Sequence, residues 1–447
     1  MPRQIFLSFM GTSNYVPCNY HLEFDSNSKI ENVRFVQEAL IKLNCNHFTN
    51  DDKIIIFCTE KSYSQNYLND GHFDFKSKTP ICIEGLQTRL QKLDNKIPFE
   101  EIRIKEGFSE AEIWEIFETI SDSLQADDEI YFDITHAFRF LPMMGLVLIN
   151  YLKATKNISL KAIHYGAFEK LGTASEIIHW DIKDRNVPIL NLTALIELNQ
   201  WTEAVHNFNK YGIVDDMFNL ANQNIRLLLK ESQGIDQVSR ELQYLVKHLL
   251  KLSQNIQTNR GLEILNFDYA KLNTIIESLS TSDVPIKPLK GVLKLIDIKI
   301  KPLVNTNLIW LESAKWCIQH NLFQQGITQL QEGIVTQIII NYSFLSPAFL
   351  VPNNEKARTL ISSILNVIKN KTLQSEWNNT LTTNSDITNK LFEIELINNI
   401  AELYANISAL RNDINHGGYT KTAPPITFIN MLKNFIGLTE THFNKKH

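Results

Sequence analysis

Residues 128–142 read Asp-Glu-Ile-Tyr-Phe-Asp-Ile-Thr-His-Ala-Phe-Arg-Phe-Leu-Pro. The first seven, with two isoleucines and two aromatics among three acids, have the composition of a short strand. The run breaks into the polar loop Thr135-His136-Ala137-Phe138-Arg139, and the apolar stretch after Pro142 predicts a helix through Leu152. Strand, polar turn and helix make the repeating half-unit of a parallel sheet.

The flanking sequence repeats that unit. Residues 5–10 and 53–59 are apolar strand runs, separated by a helical segment from about 31 to 44. A weaker strand covers 99–104, and the helix predicted at 109–125 carries Ile113, Ile116, Phe117, Ile120 and Leu124 on one stripe. Residues 159–165 supply a fifth strand, and Pro188 marks the close of this part. Alternation at this pace predicts an α/β domain with a mostly parallel sheet over residues 1–190.

Ligands of such sheets sit outside the carboxyl ends of the strands. Three strand ends here are small or polar: Gly11-Thr12-Ser13-Asn14-Tyr15, the 133–139 loop, and Tyr165-Gly166-Ala167-Phe168-Glu169. Gly11 and Thr12 would let backbone amides approach an anion, and Thr135, His136 and Arg139 are of the types that bind phosphates or bases. Taken singly, each loop also reads as an ordinary turn with helix-capping Asp and Thr. No G-x-G-x-x-G and no G-x-x-x-x-G-K-[ST] occurs, so neither a dinucleotide site nor ATP hydrolysis is supported.

From about residue 192 the pattern becomes helical almost throughout, with helices predicted at 192–208, 218–230, 235–257, 269–279, 288–304, 308–320, 324–342, 355–370 and 395–416. Residues 280–285 and 346–354 are rich in turn formers. In the last of these helices Leu396, Ile400, Leu403, Ile407, Leu410 and Ile414 recur at spacings of three and four, and Gly417-Gly418 supply the stop. Arg411 and His416 lie on its final turns, about 140° apart around the axis. That suits two groups reaching one phosphate, although a His before Gly-Gly also complements a helix C-terminus. Within 310–342, Glu332 reads first as a solvated charge on a core helix; the alternative is a pairing with a basic group near 411–416.

Composition narrows the function classes. The 447 residues are 44% hydrophobic and 21% charged, ordinary for a globular protein, and the length implies two or three domains. A net charge of -5 argues against general binding of double-stranded DNA while leaving room for a local positive site. The five cysteines, Cys18, Cys45, Cys58, Cys82 and Cys317, form no CxxC pair, so free thiols in a reducing cytoplasm are expected, with no metal site. The N-terminal apolar run is too short for a signal peptide, and no membrane insertion is expected.

Residues 128–142 resemble the strand-and-loop motif of the CRISPR-associated CARF–HEPN ribonucleases of type III systems, which in one subgroup runs D-x-T-H-G-x-R-x-x-P. Gly11-Thr12-x-x-Tyr15 and Tyr165-Gly166-Ala167 fall where that group has its first and last sheet loops. Ala137 replaces the usual Gly, and the bulky Phe140 follows Arg139; both would narrow a ligand pocket. The resemblance implies a Rossmann-like CARF domain at 1–190, a helical linker at 191–305 and an all-helical HEPN ribonuclease domain at 306–447. It implies cyclic oligoadenylate, foremost cyclic tetra-adenylate, as activator, with Gly11, Thr12, Ser13, Asn14, Thr135, His136, Arg139 and Tyr165 as its site. It also implies a homodimer or higher homo-oligomer that cuts single-stranded RNA without a metal, through Arg411, His416 and the polar Asn412. A non-catalytic nucleotide sensor acting through a protein partner is the alternative.

Overall fold

Ile5, Phe6, Leu7 and Phe9 are all buried, which only a strand covered on both faces allows. This strand, β1 (Gln4–Phe9), lies inside a sheet whose other members are β2 (Cys18–Leu22), β3 (Asp25–Val33), β4 (Lys53–Cys58), β7 (Phe99–Arg103), β8 (Glu129–Asp133), β9 (Ser159–Gly166) and β10 (Asn186–Asn191). A separate ribbon pairs β5 (His72–Phe73) with β6 (Pro80–Ile81). The large sheet runs β3-β2-β10-β9-β8-β1-β4-β7. β9, β8, β1, β4 and β7 pair in parallel, while β10 runs antiparallel to β9 and β3 antiparallel to β2. The sheet is therefore mostly parallel, as the alternating pattern required.

The computed structural model describes residues 2–23, 25–68, 72–73, 79–81, 83–93, 97–136, 141–231, 236–282, 289–419 and 423–444. Side chains alternate between the two faces of each strand. Phe6, Ile54 and Ile56 join Val36, Ala39 and Leu40 of the helix Val36–Asn44 in one core. Ile5, Leu7, Phe57 and Phe132 join Ile116 and Ile120 of Glu110–Asp122 and Leu148 of Leu141–Lys156 in the other.

Two sequence readings change. The helix expected from about 31 begins only at Val36, because residues 25–33 are strand. Asn32, with φ 49°, donates its N–H to the Asn19 side chain and interrupts any helix there. Pro188 does not close the domain: it lies within β10, where the ladder to β9 starts only at Ile189 and the Pro188 carbonyl accepts the Ala167 N–H. A proline inside a sheet is tolerated where its missing donor is not needed.

The chain divides into two compact units, Met1–Glu197 and Leu198–His447. The second unit is helical and carries two hydrophobic cores. Trp201, Phe208, Leu245, Leu249, Ile276 and Ile296 belong to the first. Leu330, Ile334, Ile338, Ile361, Ile400 and Ile407 belong to the second. The helix Ile309–Gln319 feeds both, giving Trp316 to one and Trp310 to the other. Asn321, at φ 60°, makes the turn into Phe323–Tyr342. The helix Glu395–Asn415 buries Leu396, Ile400, Leu403, Ile407 and Leu410, the stripe read from the sequence. Truncating one such fully buried isoleucine to alanine costs about 2–5 kcal/mol. Among the described residues no helix is long and apolar enough to cross a membrane.

Candidate functional site

The carboxyl ends of β1, β8 and β9 adjoin in the sheet and are tied together by one hydrogen-bond chain. The Gly166 N–H donates to Thr135 Oγ1 at 2.8 Å, and the Thr135 hydroxyl donates to Asp133 at 2.6 Å. Ser8 donates to the other Asp133 oxygen at 2.7 Å, and the Thr135 N–H adds a bond of 3.0 Å. Burial pushes the Asp133 carboxyl up from its usual range, and these donors oppose that shift. A wholly buried carboxylate needs such partners to remain ionised. Thr135, read as a ligand group, thus has its hydroxyl committed on both sides.

Over this brace lies a cavity of about 250 Å³, with Ser13, Asn14, Tyr15, Thr135, His136 and Glu169 in its wall. The Tyr15 and His136 rings meet with centroids 4.4 Å apart. Burial alone holds the His136 imidazole down to about 4, so it is neutral at pH 7. Its Nε2 is buried and has no hydrogen-bond partner among the described residues. A buried ring nitrogen in such a wall is a group that a ligand's hydrogen-bonding edge could satisfy. Gly11 lies flat against Tyr15, where any Cβ would overlap the phenol oxygen.

The loop from β1 is held from behind. Asn66 donates from Nδ2 to the carbonyls of Gly11 and Ser13, each at 2.9 Å. The buried Arg34 reaches Asn66 Oδ1 at 3.4 Å, the Glu84 carbonyl at 3.0 Å and the Tyr15 carbonyl at 3.4 Å. Asn66 sits on a short π-helical turn, Tyr63–Tyr67, a geometry that recurs at functional sites.

In the second unit, the helix Glu395–Asn415 ends in a Schellman motif. The Gly418 N–H bonds the Asp413 carbonyl at 3.2 Å, and the Gly417 N–H bonds the Ile414 carbonyl at 3.1 Å. Gly417 and Gly418 have φ 62° and 72°, left-handed values that favour glycine. His416 is the C-cap residue, exposed, and its N–H bonds the Asn412 carbonyl at 2.9 Å. Asn412 is exposed beside it, and Asn415 accepts a hydrogen bond from Gln324 at 3.3 Å.

Arg411 points back into the bundle. Its Nη1 lies 3.6 Å from Glu332 Oε1, and the other Glu332 oxygen accepts from Arg358 at 2.6 Å. Arg358 also donates to the Glu332 carbonyl, to Thr336 Oγ1 and to the Pro352 carbonyl at 2.9–3.1 Å. Glu332 thus combines the two sequence readings: its side chain stays 44% accessible, and it also pairs loosely with Arg411 of the 411–416 segment.

Residues 5–169 match the family model described as CRISPR system endoribonuclease Csx1, CARF domain. A CRISPR-associated protein of Methanocaldococcus jannaschii is 29% identical over 189 residues, an alignment covering 40% of this chain and 28% of that protein. Residues 5–169 of this chain are a CARF domain. That domain supplies the braced strand ends, and Gly11, Ser13, Asn14, Thr135 and His136 all gather there.

Other expected residues fall elsewhere. Thr12 is not in the cavity wall, and neither is Tyr165, whose hydroxyl donates to Glu169. Arg139, with Ala137 and Phe140, lies outside the described residues. Sequence reasoning missed Arg34, Asn66 and Arg358. Each acts on a carbonyl or side chain more than 20 positions away, and no local pattern announces that. Among the described residues no group of three or more His, Cys, Asp or Glu is placed to hold a metal ion.

Proposed function

We propose that this chain is a cyclic-oligoadenylate-activated endoribonuclease that cuts single-stranded RNA through Arg411 and His416. One observation carries the reading: the Schellman stop presents the exposed His416 one helical turn beyond Arg411, in a chain whose other unit is a CARF domain. RNA brings its own nucleophile, the 2′-hydroxyl, so the protein must align it with the scissile phosphate and stabilise charge. His416 has the chemistry to move the proton, and Arg411 the planar fork for the phosphoryl oxygens. Asn412, exposed on the same turn, has amide groups to orient the substrate. The products are a 2′,3′-cyclic phosphate and a 5′-hydroxyl.

A two-fold dimer would bring two Arg-His sets together, and a cyclic tetra-adenylate spanning two CARF domains would favour the cutting arrangement. Gly11, Ser13, Asn14, His136 and Arg139 are the proposed contacts to it, with the ribonuclease domain at 306–447 and the 191–305 helices between. The protein works in the cytoplasm on this reading. The test is end analysis of cut RNA in excess chelator: cyclic-phosphate ends with full activity are expected. Loss of activity in chelator, with recovery on added magnesium, would sink the metal-independent mechanism.

A second reading takes support from the Glu332–Arg411 pair, since an arginine already paired has a structural use. On it the chain senses the nucleotide and acts through a protein partner. Intact RNA at micromolar protein with saturating activator would favour this reading.

A further inference from the structure

The second unit holds a cavity of about 320 Å³ beside the Arg411 pair. The helix Gly261–Leu265, Trp310, the helix Phe323–Tyr342, the 352–353 turn and the start of Glu355–Asn370 enclose it. Its size is at the lower end for small-molecule sites. Leu262, Trp310 and Pro352 give it apolar surface, whereas Gln329, Asn353, Glu332 and Arg358 put donors and acceptors in its wall. A wall that mixes apolar and hydrogen-bonding groups suits a nucleobase, which stacks on its faces and bonds at its rim. Thr328 and Asn353 line the cavity, and their side chains make no hydrogen bond among the described residues.

Charge points the same way. Glu332 lies in the wall and touches both Arg358 and Arg411, so two cations share one carboxylate at this rim. Glu355 also lines the cavity, so the rim is balanced in charge, and Arg411, which shares its carboxylate with Arg358, is the cation available to an anionic ligand. The Arg411–Glu332 contact, at 3.6 Å and without a hydrogen bond, is the looser of the two and the easier to exchange for a phosphate.

We infer that this cavity seats a base of the single-stranded RNA next to the phosphate that Arg411 engages, and so sets where the strand is cut. The inference rests on the ribonuclease reading and gives the short helix Gly261–Leu265, outside the 306–447 segment, a part in substrate choice.

The test fills the cavity without touching a charge. Leu262→Trp is placed on a residue that is 43% exposed, and Asn353→Ala on the exposed 353 position serves as a second variant, with unchanged circular dichroism as the folding check. Cut positions are mapped on a mixed-sequence RNA with saturating cyclic tetra-adenylate. In parallel, binding of a fluorescein-labelled RNA octamer is measured in the His416→Ala background. The expected result is a base preference beside the cut in the parent protein that falls at least tenfold in Leu262→Trp, with octamer affinity falling by a similar factor. Unchanged preference and affinity in both variants would overturn the cavity assignment and leave the ribonuclease reading standing. If the parent protein cuts nothing, that reading fails, and the octamer arm alone decides the cavity: retained affinity in Leu262→Trp rejects it, tenfold loss supports it. Binding of adenosine or guanosine monophosphate without the octamer would reject RNA in favour of a free nucleotide.

Discussion

The two polar sites of this protein are built on opposite principles. The CARF cavity is lined mainly by uncharged groups, among them the Tyr15 phenol and a neutral His136, with Glu169 the charged residue in its wall, over a buried carboxylate satisfied by hydroxyl and amide donors. The site at the end of Glu395–Asn415 is ionic and half-exposed, with Arg411, Glu332 and Arg358 side chains 29%, 44% and 24% accessible. A largely uncharged pocket can hold a nucleotide ligand and report its shape. Charges that share partners can switch to a phosphate and back. On the proposed function, recognition and chemistry separate along the chain, and substitutions in each site should have separable effects.

The largest effect is expected from His416→Ala, which should lower RNA cleavage by about 10²- to 10⁴-fold, the usual worth of a positioned proton carrier. Binding of cyclic tetra-adenylate, followed by calorimetry, should not change. Loss of both would erase the separation.

Next comes the reverse test in the CARF domain. Asn66→Ala removes two bonds that fix the Gly11–Ser13 backbone, and should raise the activator concentration for half-maximal cutting about tenfold, a penalty near 1.4 kcal/mol. The cutting rate at saturation should be preserved. An unchanged activation curve would remove the Arg34–Asn66 brace from activator binding.

Glu332→Gln sharpens the ionic side. It frees Arg411 while leaving Arg358 its bonds to the Thr336 hydroxyl and Pro352 carbonyl. Because the pair is well exposed, the expected cost in stability is small, about 1 kcal/mol or less. A change in the salt dependence of cleavage, read from rates at two ionic strengths, would place Glu332 in control of Arg411. Identical salt slopes would make it packing only.

The smallest effect is a pH dependence peculiar to the CARF domain. Burial holds His136 and His164 down to about 4 against an ordinary 6.5, so the unfolded chain binds more protons between those values. Their contribution is complete above about 6.5 and fades as pH falls towards 4. The urea midpoint should drop between pH 7.5 and 5, and His164→Leu should flatten that drop. The raised Asp133 acts with the opposite sign, so a midpoint that rises on acidification would show the carboxylate to dominate.

Much of this was legible before any coordinates. Apolar periodicity marked the central strands and the helix Glu395–Asn415 because burial dictates their residues one by one. β2 and β3 escaped notice because β3 is a polar edge strand and β2 a short strand beside it, so pairing geometry, not composition, decides them. Of the CARF cavity, the loop residues Ser13, Asn14 and His136 were readable as strand-end polar groups, whereas Asn66 and Arg34 were not. Their role is to bond carbonyls of a distant loop, and an asparagine or arginine used that way looks like any surface residue. Glu332, Arg358 and Arg411 come from three helices, and only packing brings them together.

The central claim is that one chain both senses the nucleotide and cuts RNA. The most direct measurement incubates a labelled single-stranded RNA with the protein alone and with cyclic tri-, tetra- or hexa-adenylate, beside the His416→Ala variant. The expected result is cleavage that needs one of the rings, foremost the tetramer, and vanishes in the variant. RNA that stays intact with every ring bound, or is cut equally well by His416→Ala, would contradict it.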